Sequence, residues 1–300
     1  MLMRDVIIVG GGPAGLSAAL VLGRCRRRVL IYDDGRPRNA RSNGVHGFLG
    51  HDGLPPGELR ELGLSALAPY DVEVRRSRVA SAIRIDGGFE VTDAEGRRER
   101  ARKLLLATGV EDRLPDIPGV DAFYARGIYP CAYCDGWEVR DQGLGAYGGS
   151  GDSCVEFALG LITWSRDVVL FTDGDAGLAE AQRARLARHG VVVREEEVLR
   201  FEGDDQSLQY VVLRGGERLA RDAVFLHAGQ RPRSPLAEML GCDVEDGGVV
   251  ETFAKQRTVV EGLYLAGDAS QDVKFAIVAA AHGARAAHDI NQAIREEDTR

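Results

Sequence analysis

The sequence predicts an α/β chain made of two dinucleotide-binding units, the second inserted into the first. Three observations carry that expectation. A glycine-rich turn, Gly10-Gly11-Gly12-Pro13-Ala14-Gly15, stands between an apolar run and an alanine-rich one near the N-terminus. A looser copy of the same arrangement begins at Leu144, and a further apolar run ending in Gly267-Asp268 follows it much later. The length of 300 residues suits about two domains.

Composition narrows the function classes. With 44% hydrophobic and 28% charged residues, the chain can bury real cores and is not of the disordered type. A net charge of −8 argues against nucleic acid as a partner, because phosphate binding wants a basic surface. The basic run Arg24 with Arg26, Arg27 and Arg28 fits a solvated turn between a helix and a strand. Residues 6–22 are largely apolar, yet they lack a basic leader and are broken by Gly10 to Pro13, so they do not read as a signal peptide. No apolar stretch of about 18 or more residues runs free of glycine and charge, and no membrane span is expected. Five cysteines, odd and sparse, fit a reducing cytoplasm, where a surviving disulfide would be catalytic.

In chain order, residues 6–9 predict a strand and 16–22 a helix. Between them the G-x-G-x-x-G spacing lets backbone amides approach a pyrophosphate at the helix N-terminus. A second strand over 28–32 ends at Asp33, a carboxylate placed to accept from an adenosine ribose hydroxyl. A loop rich in Gly, Asn and His covers 39–54, a helix 56–67, and strands 71–76, 79–85 and 89–92, the last two joined at Asp86-Gly87-Gly88. Residues 103–109 read as a buried parallel strand opening onto Thr108-Gly109.

Leu114-Pro115-Asp116-Ile117-Pro118-Gly119 halts both helix and sheet and marks the crossing into the second unit. The expected division is therefore 1–114 with 243–300 for the outer unit and 115–242 for the inserted one. In the latter, a strand over 144–148 meets Gly149-Ser150-Gly151-Asp152-Ser153-Cys154, then a helix over 155–163 and a strand over 167–172 ending at Asp173. The third glycine position holds Cys154, where only a small residue is needed. A helix over 176–188, a strand over 191–194, a hairpin around 203–214 and a strand over 223–227 complete the unit. Back in the outer unit, a strand over 262–268 stops at Gly267-Asp268, where ligands bind in open α/β sheets, and a helix covers 273–294. Asp268 also suits a helix N-cap.

Just ahead of the second glycine turn lies Cys131-Ala132-Tyr133-Cys134-Asp135-Gly136. Two thiols three positions apart can close a small disulfide ring, with the adjoining carboxyl group passing a proton during exchange. The same spacing is half a zinc site, which would need two more ligands, while Cys25, Cys154 and Cys242 stand isolated. Those three read as packed small apolar residues.

Taken together, these motifs resemble the low-molecular-weight thioredoxin reductase family of flavoproteins over essentially the whole chain. The resemblance rests on Gly10 to Gly15, Leu106-Ala107-Thr108-Gly109, Cys131 to Gly136, Gly149 to Gly151 with Val155-Glu156, and Leu265 to Asp268. It implies two Rossmann-like units, FAD on the outer and a nicotinamide dinucleotide on the inserted one. Gly10, Gly12, Pro13, Ala14 and Gly15 would hold the FAD pyrophosphate, Asp33 its adenosine ribose, Asp268 with Gly267 its ribitol side, and Thr108-Gly109 would border it. Gly149, Gly151, Asp152 and Asp173 would line the nicotinamide dinucleotide site. Cys134 would face the flavin, Cys131 would attack the substrate disulfide, and Asp135 would act as acid and base. The resemblance further implies a homodimer, and electrons running from NAD(P)H through FAD to the cysteine pair and on to thioredoxin or a similar disulfide.

Some positions depart from that pattern. Thr172-Asp173-Gly174 replaces the His-Arg-Arg run of members specific for NADPH, so NADH is favoured: a carboxylate repels a 2′-phosphate and accepts from a free 2′-hydroxyl. Lys274-Phe275 replaces Arg-Gln before the last helix, and Trp137-Glu138-Val139 replaces an aromatic pair. These changes bring the chain closer to a thioredoxin reductase-like branch of oxygen-using dithiol oxidases of small molecules, although those carry His where Asp135 stands. A disulfide reductase fed by a ferredoxin-type carrier is a further alternative.

Overall fold

The computed structural model describes residues 3–205, 207–227, 229–245, 249–270 and 272–300. They divide into two compact units, residues 1–111 with 230–300 and residues 112–229. The first crossing falls three residues before the expected position 114. The second lies at 230 rather than 243. The difference has a packing cause: Leu236, Ala237, Leu240 and Cys242 are buried in one core cluster with Ile7, Leu104 and Leu263 of the first unit.

The first unit opens with β1 (Arg4–Val9), α1 (Pro13–Arg24), β2 (Val29–Tyr32), α2 (Pro56–Ser65), β3 (Val72–Arg75), β4 (Val79–Ile85), β5 (Gly88–Asp93) and β6 (Arg98–Leu106). After the short β7 (Val110–Asp112), the second unit holds α3 (Val120–Phe123), β8 (Ile128–Tyr129), α4 (Ala132–Asp135), β9 (Leu144–Tyr147), α5 (Gly151–Leu161), β10 (Val168–Phe171), α6 (Glu180–Arg188), β11 (Val192–Arg194), β12 (Val198–Gly203), β13 (Leu208–Leu213), β14 (Arg218–Ala220) and β15 (Ala223–Leu226). The chain returns through β16 (Gln230–Pro232), α7 (Leu236–Met239), β17 (Val244–Glu245), β18 (Val249–Val250), a 3-10 turn at Ala254–Gln256, β19 (Leu263–Leu265) and α8 (Ala276–Asp298).

In the first unit the sheet order is β3-β2-β1-β6-β5-β4, with β19 also on β6. On the edge away from β1, β6 serves two partners because it is long: Ala101 pairs with Phe89 in an antiparallel meander, while Leu104 to Leu106 pair in parallel with Leu263 to Leu265. The sequence marked only the apolar half from residue 103. The charged half from Arg98 to Arg102 holds its place as a meander partner, which apolar content cannot announce. β1 is parallel to both β2 and β6, with Val6 opposite Val29 and Lys103. Its apolar run is buried on both faces, as a central parallel strand requires.

In the second unit the five-stranded sheet runs β11-β10-β9-β15-β8, all pairs parallel, and β12 to β14 form a separate antiparallel sheet. In both units the chain order reverses beside the first strand, between β1 and β6 and between β9 and β15. A crevice opens at such a reversal, at the carboxyl ends of the strands. The glycine turns sit there.

Candidate functional site: two glycine turns and a disulfide

The first turn is shaped by steric necessity. Gly10 has φ +114°, and a Cβ there would lie 2.1 Å from the Ala107 carbonyl oxygen. At Gly12 the space is open, with nothing within 4 Å of a Cβ position. α1 starts directly behind it with Pro13 in its first turn, no side-chain cap and no acidic residue there. Its first amides therefore point outward unsatisfied, and the helix dipole adds positive charge. That combination fits a pyrophosphate.

Asp33 ends β2 beneath this turn, close enough that a Cβ on Gly11 would lie 2.6 Å from its carboxyl group. One of its oxygens accepts from the Gly35 amide at 3.1 Å and the other from the Arg60 guanidinium of α2. Arg60 was not singled out from the sequence, and nothing in its surroundings there signals this role. Asp268 follows β19, pairs with Arg38 at 3.3 Å, and its carbonyl accepts from Lys274 Nζ at 2.6 Å. Lys274 thus turns inward on the Asp268 to Ser270 backbone, and burial lowers its pKa. On α8, buried His282 lies between the Ser270 hydroxyl at 3.2 Å and the Asp272 carboxylate at 3.0 Å. Beside Thr108 and Leu265, a cavity of about 270 Å³ opens towards Ala269, Pro235 and Arg231.

The second turn is tighter in what it offers. Gly149 and Gly151 both have positive φ, +83° and +52°, and α5 begins at Gly151. The Ser153 hydroxyl folds back onto the Ser150 carbonyl at 2.8 Å, and Asp152 lies in the first turn, bonded to Gln182 at 2.6 Å. This N-terminus fits an anion less well than that of α1. Asp173, at φ +55°, accepts from the Val198 amide at 2.7 Å and from the Tyr147 hydroxyl at 2.9 Å. Burial first, then the Asp173 bond, pushes the Tyr147 phenol well above its usual range. Glu195, Glu196 and Glu197 directly precede Val198 in the chain, paired with Arg183, Arg194 and Arg214. The Arg194 bonds pull Glu196 down to about 2. The rim at the end of β10 is thus acidic, and its neighbouring arginines are engaged.

Cys131 and Cys134 are joined in a disulfide with Cα atoms 5.3 Å apart. Cys131 is extended and caps the single turn α4, its Sγ accepting from the Cys134 amide at 3.2 Å. Such a contact favours a thiolate once the bond opens. Asp135 closes the turn, near enough to Tyr129 to raise that phenol's pKa after burial has done so. The turn sits on Trp164, which Tyr133 meets edge-on at 5.3 Å. Tyr133 and Trp137 are exposed around the disulfide, and Arg140 covers the Trp137 ring at 4.1 Å.

A parallel α/β frame with two glycine turns and a Cys-x-x-Cys disulfide defines a thiol–disulfide oxidoreductase class. Known proteins narrow it. The family model for pyridine nucleotide-disulphide oxidoreductases matches residues 4–283, and the chain belongs to that family of oxidoreductase enzymes. Thioredoxin reductase of Streptomyces coelicolor is 31% identical to it, with 99% of this chain and 96% of that protein covered. Among solved structures, TrxB from Bacillus anthracis superposes with a TM-score of 0.93 at 32% identity, covering 98% and 99% of the two chains. HlmI superposes at 0.92 with 37% identity, covering 99% and 94%.

Proposed function

We propose that the chain is an FAD-dependent disulfide reductase that takes electrons from NADH in preference to NADPH and delivers them to thioredoxin or a similar disulfide. The observation that carries this is the Cys131–Cys134 disulfide, held by α4 in a unit that also bears a dinucleotide turn. FAD, when bound, would supply two-electron acceptance and donation. The α1 amides with Gly12 would hold its pyrophosphate, Asp33 its ribose and Asp268 its ribitol. Cys131 would attack the external disulfide and Cys134 would close the ring again, with Asp135 moving protons at the sulfurs. The acidic rim around Asp173 supports NADH, because a 2′-phosphate would meet like charge there. A homodimer in a reducing cytoplasm completes the reading, and gel filtration reports the dimer.

The test is direct. Purified enzyme with oxidised thioredoxin should consume NADH at least about tenfold faster than NADPH at equal low concentration, the equivalent of about 1.4 kcal/mol. No oxidation of either nucleotide overturns the reading. The same acidic rim favours one alternative, an oxygen-using oxidase of a small dithiol: peroxide formed from dithiol and oxygen without nucleotide would establish it, and no peroxide would dismiss it. Flavin that stays oxidised with either nucleotide under argon would point instead to a ferredoxin-type donor.

A further inference from the structure

β8 and β15 are neighbours in the second sheet, parallel, with Ile128 opposite Val224 and Tyr129 opposite Phe225. Side chains in strands alternate faces, so every second residue shares one. Tyr129 and Phe225 lie on the α5 face, their rings 5.6 Å apart, packed in the cluster with Cys154, Val155 and Ala158. The paired register ends there, and extending it by two residues beyond both strands would set Cys131 beside His227. β8 ends at Tyr129 and the chain bends at Pro130. Beyond that bend Cys131 keeps an extended backbone, with φ −144° and ψ 109°, while His227 keeps a sheet hydrogen bond, its amide donating to the Tyr147 carbonyl of β9 at 2.8 Å. The His227 ring is on the expected face, edge-on to Phe157 of α5 at 5.2 Å.

We propose that His227 is the proton partner of Cys131, a role that rests on the thiol–disulfide reading above. With the cysteine pair reduced, the His227 imidazole takes the Cys131 S–H proton. The Cys131 thiolate attacks one sulfur of the substrate disulfide; a mixed disulfide forms, the substrate S–S bond breaks, and the departing thiolate takes the proton from the imidazolium. Cys134 then attacks the Cys131 sulfur of the mixed disulfide; the Cys131–Cys134 bond forms, the bond from Cys131 to the substrate sulfur breaks, and the Cys134 proton passes to that second departing thiolate. One dithiol and one disulfide thus become one disulfide and two thiols, with two electrons moved. His227 is exposed, so its proton also exchanges with water. The charged groups on the elements around it are Asp135 and Glu138 following Cys134, Asp152 and Glu156 of α5, and Arg113 beside Gly229. Glu156 is held by Arg185 and Asp152 by Gln182.

Full-length enzyme reduced with a phosphine, then alkylated with iodoacetamide between pH 5 and 9 and read per cysteine by mass spectrometry, tests the role. In His227→Gln, Cys131 should react about tenfold more slowly at pH 6.5, its profile displaced by about one pH unit, with Cys134 unmoved. An unmoved Cys131 profile overturns the proposal. Placement has its own arm, valid even if His227→Gln folds poorly. In Cys134→Ser/His227→Cys, strands about 4.8 Å apart bring the two sulfurs within bridging range, and glutathione disulfide should yield a 131–227 cross-link. Its absence overturns the pairing. Neither arm uses nucleotide or thioredoxin, so failed turnover in the functional test and failure here are separately visible.

Discussion

Single residues decide how the site discriminates. Asp173 has a double use, because its carboxylate terminates the β10 end through Val198 and Tyr147 while setting the charge of the rim. Asp173→Asn keeps an acceptor for the Val198 amide and removes the charge. The ratio of NADPH to NADH use should rise by about five- to tenfold, roughly 1 kcal/mol, in steady-state kinetics, with folding near that of the parent. No change in that ratio would remove Asp173 as a determinant. The cysteines separate in the same way. Burial pushes the thiols of Cys154 and Cys242 upward, so near pH 8 they stay protonated as well as shielded, whereas Cys25 is exposed. A colorimetric thiol titration of the oxidised native enzyme should therefore find one fast-reacting thiol, and reduction of Cys131–Cys134 should add two. A fast thiol beyond these would show that one of the buried sites opens.

At the scale of elements, the first glycine turn depends on how closely α8 approaches α1. A Cβ on Gly283 would lie 1.9 Å from the Ala14 carbonyl oxygen, in the backbone that forms the start of α1. Gly283→Ala should cost about 1–3 kcal/mol and lower Tm by several degrees. Because the displaced backbone is the one that would hold the pyrophosphate, bound flavin per chain should fall as well. Normal flavin content in this variant would separate packing from binding. The middle of α8 is held differently, by Asp289, whose side chain is fully buried against Arg257 and Lys255. Burial alone would raise its pKa, but the bonds from those two cations win and lower it. A carboxylate with a depressed folded value stabilises above its unfolded value near 3.9, and that contribution is lost as pH falls through the folded value. Tm should therefore decline below about pH 4, and Asp289→Asn should be less stable at pH 7 by roughly 2 kcal/mol with a flatter acid limb. An unchanged acid limb would assign the decline to other carboxylates.

For the whole molecule, the inserted unit carries its own interior. Its two core clusters draw only on residues between 114 and 226, and its two ends meet where the Arg113 amide donates to the Gly229 carbonyl at 2.8 Å. A fragment of residues 112–229 should fold alone, with a cooperative thermal transition and a Cys131–Cys134 pair that closes and reopens with redox buffer. A fragment without a cooperative transition would show that the outer unit is needed. The outer unit is a discontinuous chain, and its α7 segment shows why the return at 230 was misplaced from sequence. Residues 236–242 are a short mixed stretch whose membership is settled by burial against distant strands.

Much of this was readable in the sequence because it is locally enforced. The glycine turn demands a conformation and a closeness that only glycine allows at Gly10, and buried parallel strands must be continuous apolar runs, so the two frames and the cysteine pair stood out. What remained hidden depends on who sits beside whom. Arg60 on Asp33, Arg38 on Asp268, Tyr147 on Asp173 and the charged half of β6 are long-range pairings with no local signature. The register of β8 against β15, which sets Tyr129 opposite Phe225, is of the same kind. Sequence determined the chemical groups by itself, because turns and strand interiors constrain residue type. Tertiary structure alone decided their partners, because hydrogen bonds between distant segments form only after the sheets have aligned them.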